Sequence, residues 1–283
     1  MLLEPIIEIG YQHAALCQLG FPRKETTAID FERKIGSVAI CLQAGKVFDG
    51  EKFVQQRLPY GGYARLILAW VSTLAKKNGS PKVAIGESAK DFLVALGKHK
   101  NGNDNARMKS QLLSLSVCNI TIGEKIGSVA RTLPSGSVVE RIDVWMDCQG
   151  RSKNLWPREI VLSDRYFESL CNAAVPLNMH AIYKLKGASL ALDLYSFLAY
   201  RLHRIDNKGL FLGWKDVFDQ FGSREYFGDD AVKNFRKELI SALLLVKDVY
   251  PEAKFDVVYG GLQLRRSAPP VPPKRFLPIG IKK

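Results

Sequence analysis

Lys233, Asn234, Arg236 and Lys237 fall within five consecutive positions of a 283-residue chain. They sit in a stretch whose apolar residues recur at helical spacing: Val232, Phe235, Leu239, Leu243 and Val246. Such a helix turns Lys233, Asn234 and Lys237 outward on one face, with Arg236 flanking it. An asparagine amide can pair with the adenine edge, and a lysine ammonium can reach guanine or a phosphate. Arg224 precedes this helix, and Arg265-Arg266 close a following hairpin; both are suited to phosphate, the second also to a minor groove. A poorer version of the same set occurs earlier as Arg107, Lys109 and Ser110. Its serine-rich face carries less charge, which suits an auxiliary contact or a subunit interface. The plainer alternative for both sets is a solvated helix face with ordinary charge.

A second chemistry is catalytic. Tyr183 and Lys186 have the Tyr-x-x-Lys spacing of a nucleophile that nicks DNA. Such a tyrosine needs a metal to activate the phosphate, held by two histidines one residue apart. His180 and His203 stand alone. No Gly-x-x-x-x-Gly-Lys phosphate loop is present, which argues against an ATPase. The five cysteines are scattered and form no Cys-x-x-Cys pair. The expectation is a non-enzyme with no catalytic residue, no metal site and no cofactor, in a reducing cytoplasm.

Net charge supports the binding reading. Lys and Arg number 41 against 28 acids, a net of +13. Residues 1–150 hold 19 bases and 14 acids, and residues 151–283 hold 22 and 14, so the excess is larger in the second half. A positive field concentrates polyanions, nucleic acid first and anionic membrane next. No apolar run approaches the ~20 residues of a membrane span. The first twenty residues have acids at Glu4 and Glu8, an early Pro5 and no basic start, so they do not read as a signal sequence.

These side chains need a scaffold, and the chain announces one twice. KDFLVALG (90–97) and KDVFDQFG (215–222) share a Lys-Asp start, a final Gly and apolar third, fourth and seventh positions. Before the first lies a helix within 58–81, with Tyr63, Leu66, Ile67, Trp70 and Leu74 in phase and a break at Asn78-Gly79-Ser80-Pro81. The strand KVAIG follows, then a helix capped by Ser88 with Asp91 three residues on. A polar loop leads to a helix at about 105–116. Its inner stripe is Met108, Leu112 and Leu115, with Ser114 outside beside Arg107 and Ser110. CNITIG and SVVERIDVWMD then alternate as a hairpin turning at Leu133–Gly136. The second series has a helix over 188–205, the strand GLFLG, the second octapeptide, a helix at about 230–247 and KFDVVYGGLQLRR turning at Gly260-Gly261. Ala106 and Ala231 each lie nine residues after the final Gly. Helix, strand, helix, helix, hairpin is the order of a winged helix, so the fold class reads as α+β with two tandem winged-helix units.

The expected division is a strand-rich N-terminal extension over 1–57 packed on the first domain, winged-helix domains over 58–150 and 151–266, and a flexible basic, proline-rich tail over 267–283. Apolar stretches near 35–42 and 47–54 read as strands. Trp70, Tyr195, Tyr200 and Trp214 read as core or interface aromatics rather than stacking platforms. KIGSVA occurs at 34–39 and again at 125–130. It falls outside the shared order of elements, and coincidence is the simplest account of it.

LPYGGYARLILAWVSTLAKK, SAKDFLVALG and VPLNMHAIYKLKGASLALDLYSFLAYRLHRI, the last followed by a strand and KDVFDQFG, resemble the RepA-type plasmid replication initiators. The likeness spans about 58–265 and is strongest over 175–222. It implies a DNA-binding initiator that recognises repeated sites at a plasmid origin, helps open the duplex, recruits the host helicase with a host initiator as a further partner, and often represses its own gene. It also implies that the C-terminal domain is the main reader, and it leaves room for a homodimer through the N-terminal domain. A plain winged-helix repressor would use the same contacts, and a third reading turns the winged helices to protein partners.

Overall fold

The computed structural model describes residues 8–98, 102–142, 156–222 and 230–272. Within them the chain is an α+β protein whose buried apolar side chains join into one continuous cluster. β1 (Ile9–His13) runs into the short α1 (Ala14–Gln18). His13 caps that helix: its Nδ1 accepts from the Ala15 N–H at 3.2 Å, and its Nε2 lies 2.8 Å from Ser169 Oγ. Burial pushes the imidazole down to about 4, so it is neutral at ordinary pH. Next come β2 (Asp30–Ile35) and β3 (Val38–Gln43), then the small hairpin of β4 (Lys46–Phe48) and β5 (Phe53–Gln55).

The first repeated series is α2 (Gly61–Asn78), β6 (Lys82–Ala84), α3 (Ala89–Ala95) and α4 (Gly102–Ser116). α2 ends where Gly79 takes φ +62°, a left-handed position that suits glycine. α3 begins at Ser88, whose Oγ accepts the Asp91 N–H at 3.2 Å while its hydroxyl donates to the Asp91 carboxylate at 2.6 Å. β7 (Asn119–Ile126), β8 (Val129–Ser137), β9 (Val139–Ile142) and β10 (Glu159–Leu162) follow. A connector of α5 (Asp164–Ala173), β11 (Ala174–Asn178) and α6 (Met179–Lys184) leads to the second series. That series is α7 (Ser189–Arg201), β12 (Leu210–Gly213), α8 (Trp214–Phe221), α9 (Ala231–Val249), β13 (Lys254–Val258) and β14 (Gly261–Arg265).

The two series share a sheet order. β12 pairs with β14, which pairs with β13; β6 pairs with β10, which pairs with β9. The hairpin that matches β13–β14 is therefore β9–β10. Residues 159–162, beyond the expected boundary at 150, complete the first sheet. The sequence placed that hairpin at CNITIG and SVVERIDVWMD instead. Of these residues, 139–142 form β9 and 143–147 lie outside the described residues, while 119–123 and 137 belong to another sheet, ordered β2-β3-β7-β8. Its β7–β8 turn is Gly127-Ser128, and Leu133–Gly136 lies inside β8 rather than in a turn. A proline and a glycine suggested a break there, and the strand absorbs them with a register shift opposite Ile120–Ile122.

Smaller corrections concern packing. Ser114 is buried rather than outward, and Gln111 beside it is buried too, its Oε1 accepting the Tyr60 N–H at 2.7 Å. Val232 is exposed and Ala231 takes its inner place. The β13–β14 turn is Tyr259-Gly260, one residue earlier than the two glycines suggest, because Gly261 pairs with Val258.

The N-terminal segment divides between the series. β1 pairs with β11, α1 packs on α7, and β3 pairs with β7. The core helices α2 and α7 are joined by a buried ion pair. Arg65 and Asp193 are 6% and 7% exposed, with both carboxylate oxygens 2.6 Å from the guanidinium. Arg65 also donates to the carbonyls of Phe21, Pro22 and Gly61, so its donors are satisfied in a site that water does not reach.

Candidate nucleic-acid interface

α9 carries the residues that the sequence singled out. Phe235 and Leu239 are fully buried and hold its inner face; Phe218 of α8 meets Phe235 edge-on at 5.3 Å. Lys233, Asn234 and Lys237 are exposed on the opposite side. Lys233 and Lys237, four residues apart, stack on one face, with Asn234 one step round. Lys233 is 71% exposed and has Asp230 at 3.4 Å, a loose pair that a phosphate can displace.

Arg236 is held differently. Its guanidinium lies 4.8 Å from the ring centroid of Trp214, the first residue of α8. The backbone N–H of Trp214 donates to the Gly260 carbonyl at 3.1 Å, in the β13–β14 turn. Trp214 thus couples the flank of α9, through its indole, to the tip of the hairpin, through its backbone. Gly260 has φ +85°, which this two-residue turn requires, and Tyr259 beside it is fully exposed. The sequence marks Trp214 as a core or interface aromatic and gives Tyr259 no role. An exposed aromatic in a tight turn was the available signal.

The other candidates scatter. Arg265 and Arg266 are exposed at the end of β14, at the base of the hairpin rather than its tip, and Arg265 pairs with Asp256 at 2.8 Å. Arg224 lies outside the described residues, as does most of the tail. In α4, Arg107 and Ser110 are exposed, while Lys109 is half-buried and has a partner. The structure thus brings Lys233, Asn234 and Lys237 together with Arg236 and the hairpin turn. It keeps Arg107, Lys109 and Ser110 on a separate helix.

Support for α9 comes from the N-terminal segment. Arg23 contacts the Glu238 carboxylate and lies over the Phe235 ring at 5.9 Å. Glu238 follows Lys237 directly, so Arg23 offsets a negative charge beside the basic face. Arg33 donates to the carbonyl of Gly222, at the end of α8, at 2.6 Å. The Tyr183 hydroxyl donates to Ala95 O at 3.1 Å, and Lys186 bonds Gly97 O, so this pair ties α6 to the end of α3. Among the described residues no group of three His, Cys, Asp or Glu could hold a metal ion, and no helix is long and apolar enough to cross a membrane.

Residues 58–215 match the family model described as "Plasmid encoded RepA protein". No curated protein matches. Two solved structures are similar in fold. A crystal structure of SeMet derivatives of domain 2 and domain 3 of RctB is 12% identical, with 89% of this chain and 98% of that chain covered at a TM-score of 0.55. The RctB domains 2-3 structure, RctB-155-483, is 11% identical, with 89% and 96% covered at a TM-score of 0.51.

Proposed function

Because the chain belongs to the plasmid-encoded RepA protein family of replication initiators, we propose that it starts plasmid replication by binding repeated duplex sites at the plasmid origin. Each repeated series is a winged helix in this reading, with the first extending to residue 162 so that its sheet stays whole. α9 enters the major groove. Lys237 and Asn234 reach base edges, while Lys233, Arg236 and Arg266 fix the register on phosphates. The observation that carries the reading is the α9 face: three exposed polar or basic residues opposite a sealed apolar stripe, coupled through Trp214 to the hairpin turn. Tyr259 would meet the neighbouring groove at that turn.

The bound initiator then promotes opening of the origin and recruits the host's replicative helicase, with a host initiator as a second partner. The first winged helix supplies an auxiliary DNA contact through Arg107, Lys109 and Ser110, or a homodimer interface. The protein works in the cytoplasm without a cofactor and is not an enzyme. Tyr183 spends its hydroxyl on a backbone carbonyl, which supports a structural role over nucleophilic attack.

The test uses the DNA that flanks the gene. Purified protein should protect short direct repeats there from cleavage. Supplied in trans, the gene should maintain a plasmid whose only origin is that DNA. Protection without maintenance would favour the second reading, a repressor of its own promoter. Absence of protection would overturn both.

A further inference from the structure

The function proposed above makes no use of KIGSVA, which stands at 34–39 and 125–130. The structure gives both copies the same part. The first closes the β2–β3 hairpin at Gly36-Ser37, and the second closes β7–β8 at Gly127-Ser128. Lys34 pairs with Ala39 and Ile35 with Val38; Lys125 pairs with Ala130 and Ile126 with Val129. The two turn glycines have φ +52° and +61°, where other residues are strained. β3 pairs with β7, and the Lys125 N–H donates to Ser37 O at 2.7 Å. Two copies of one tip therefore stand side by side at one end of one sheet. This replaces coincidence with a repeated structural role.

The faces follow from the register. Directly opposed residues share a face, and neighbours along a strand alternate. Ile40, Leu42, Ile120 and Ile122 are buried and define the core face. Lys34 and Lys125 lie on the other face and are exposed. Neither joins an ion pair among the described residues. Between them this face carries only Ala39 and Gly123, and Ala130 flanks Lys125 on its far side, which leaves a low floor. Glu32 is the nearest carboxylate on that face, one pleat inward beside Cys41; Glu124 belongs to the core face. Strand spacing and rise put the two lysine Cα atoms about 12 Å apart. Arg33, next to Lys34, ties this hairpin to the end of α8, from which the chain leads into α9.

We propose that the paired tips form a phosphate-binding ledge, on which Lys34 and Lys125 hold the sugar–phosphate backbone of duplex DNA beside the stretch engaged by α9. The ledge rests on the DNA-binding reading of α9. It adds affinity and orientation but no sequence preference, because it touches only phosphates.

The test compares the full-length chain with K34A/K125A, K34R/K125R and K237A. Each is titrated against the gene-flanking duplex and a mixed-sequence duplex over a salt series. Two lost phosphate contacts should lower the slope of log K against log salt by about 1.8 and weaken both duplexes alike, about tenfold near physiological salt. The arginine pair should bind as wild type does, and thermal melting should not move, since both lysines are exposed. If K237A weakens the flanking duplex while K34A/K125A changes neither slope nor affinity, the ledge is wrong and the α9 reading stands. If wild type binds neither duplex, both are wrong. Vesicles containing phosphatidylserine form the last arm. If K34A/K125A loses vesicle binding but keeps DNA binding, the patch belongs to a lipid surface and the ledge is again wrong.

Discussion

α4 and α9 hold the same place in their series, yet their outer faces differ. Each follows a short helix that ends near a glycine, and each packs a stripe of fully buried apolar residues inward. Outside, α9 shows Lys233, Asn234 and Lys237 together. α4 shows Arg107 and Ser110 and has Lys109 already partnered. The frame is set by inward positions, while the partner is set by outward ones, and the two can change independently. The same scaffold therefore presents a basic outer face in one copy and a less charged one in the other.

The sharpest way to break that pairing is to uncouple the helices beneath it. Asp193→Ala leaves the Arg65 guanidinium buried without its carboxylate. The protein should lose about 3–5 kcal/mol in urea denaturation. A change under about 1 kcal/mol would mean that water reaches the pair and that the two series are not clamped there.

His13 offers a milder test of the same junction, because it caps α1 from β1 and touches Ser169. The unfolded chain takes up a proton near pH 6.5, whereas the folded chain resists until about 4. The unfolded state thus binds more protons between those values, and stability falls as pH drops through that window. The loss from this group should reach about 3 kcal/mol at the acid end. His13→Asn, which can still cap, should flatten that part of the stability profile.

On the outer faces the expected effects are smaller and separate the helices directly. Lys237→Ala should weaken the flanking duplex by about 1–3 kcal/mol and alter preference at one base pair. Arg107→Ala should cost less than about 1 kcal/mol and leave preference unchanged. Least of all, Arg266→Ala should lower the salt slope by about 0.9 for every sequence. If Arg107 instead proved sequence-selective, the division of labour between the two series would be reversed.

The sequence made the inward stripes legible, because Met108, Leu112, Leu115, Phe235, Leu239 and Leu243 recur at helical spacing and each is buried. It also marked the outward basic residues of α9. It did not reveal sheet pairing. Val139–Ile142 alternate well as a strand, but nothing local says that their partner is residues 159–162 rather than 119–122. Pro134 and Gly136 carried a turn signal that tertiary pairing overrode. KIGSVA was visible as a repeat and lacked meaning until β3 and β7 lay together. Trp214 was visible as an aromatic, but its link between Arg236 and Gly260 depends on contacts between elements far apart in the chain.

The most direct test sets the two helices against each other in one binding experiment. Lys233→Ala/Lys237→Ala and Arg107→Ala/Ser110→Ala are titrated with the flanking duplex and with a mixed-sequence duplex. The α9 pair should erase most of the preference for the flanking DNA, and the α4 pair should leave that preference intact. An α9 pair that discriminates as well as the unaltered protein would contradict the account.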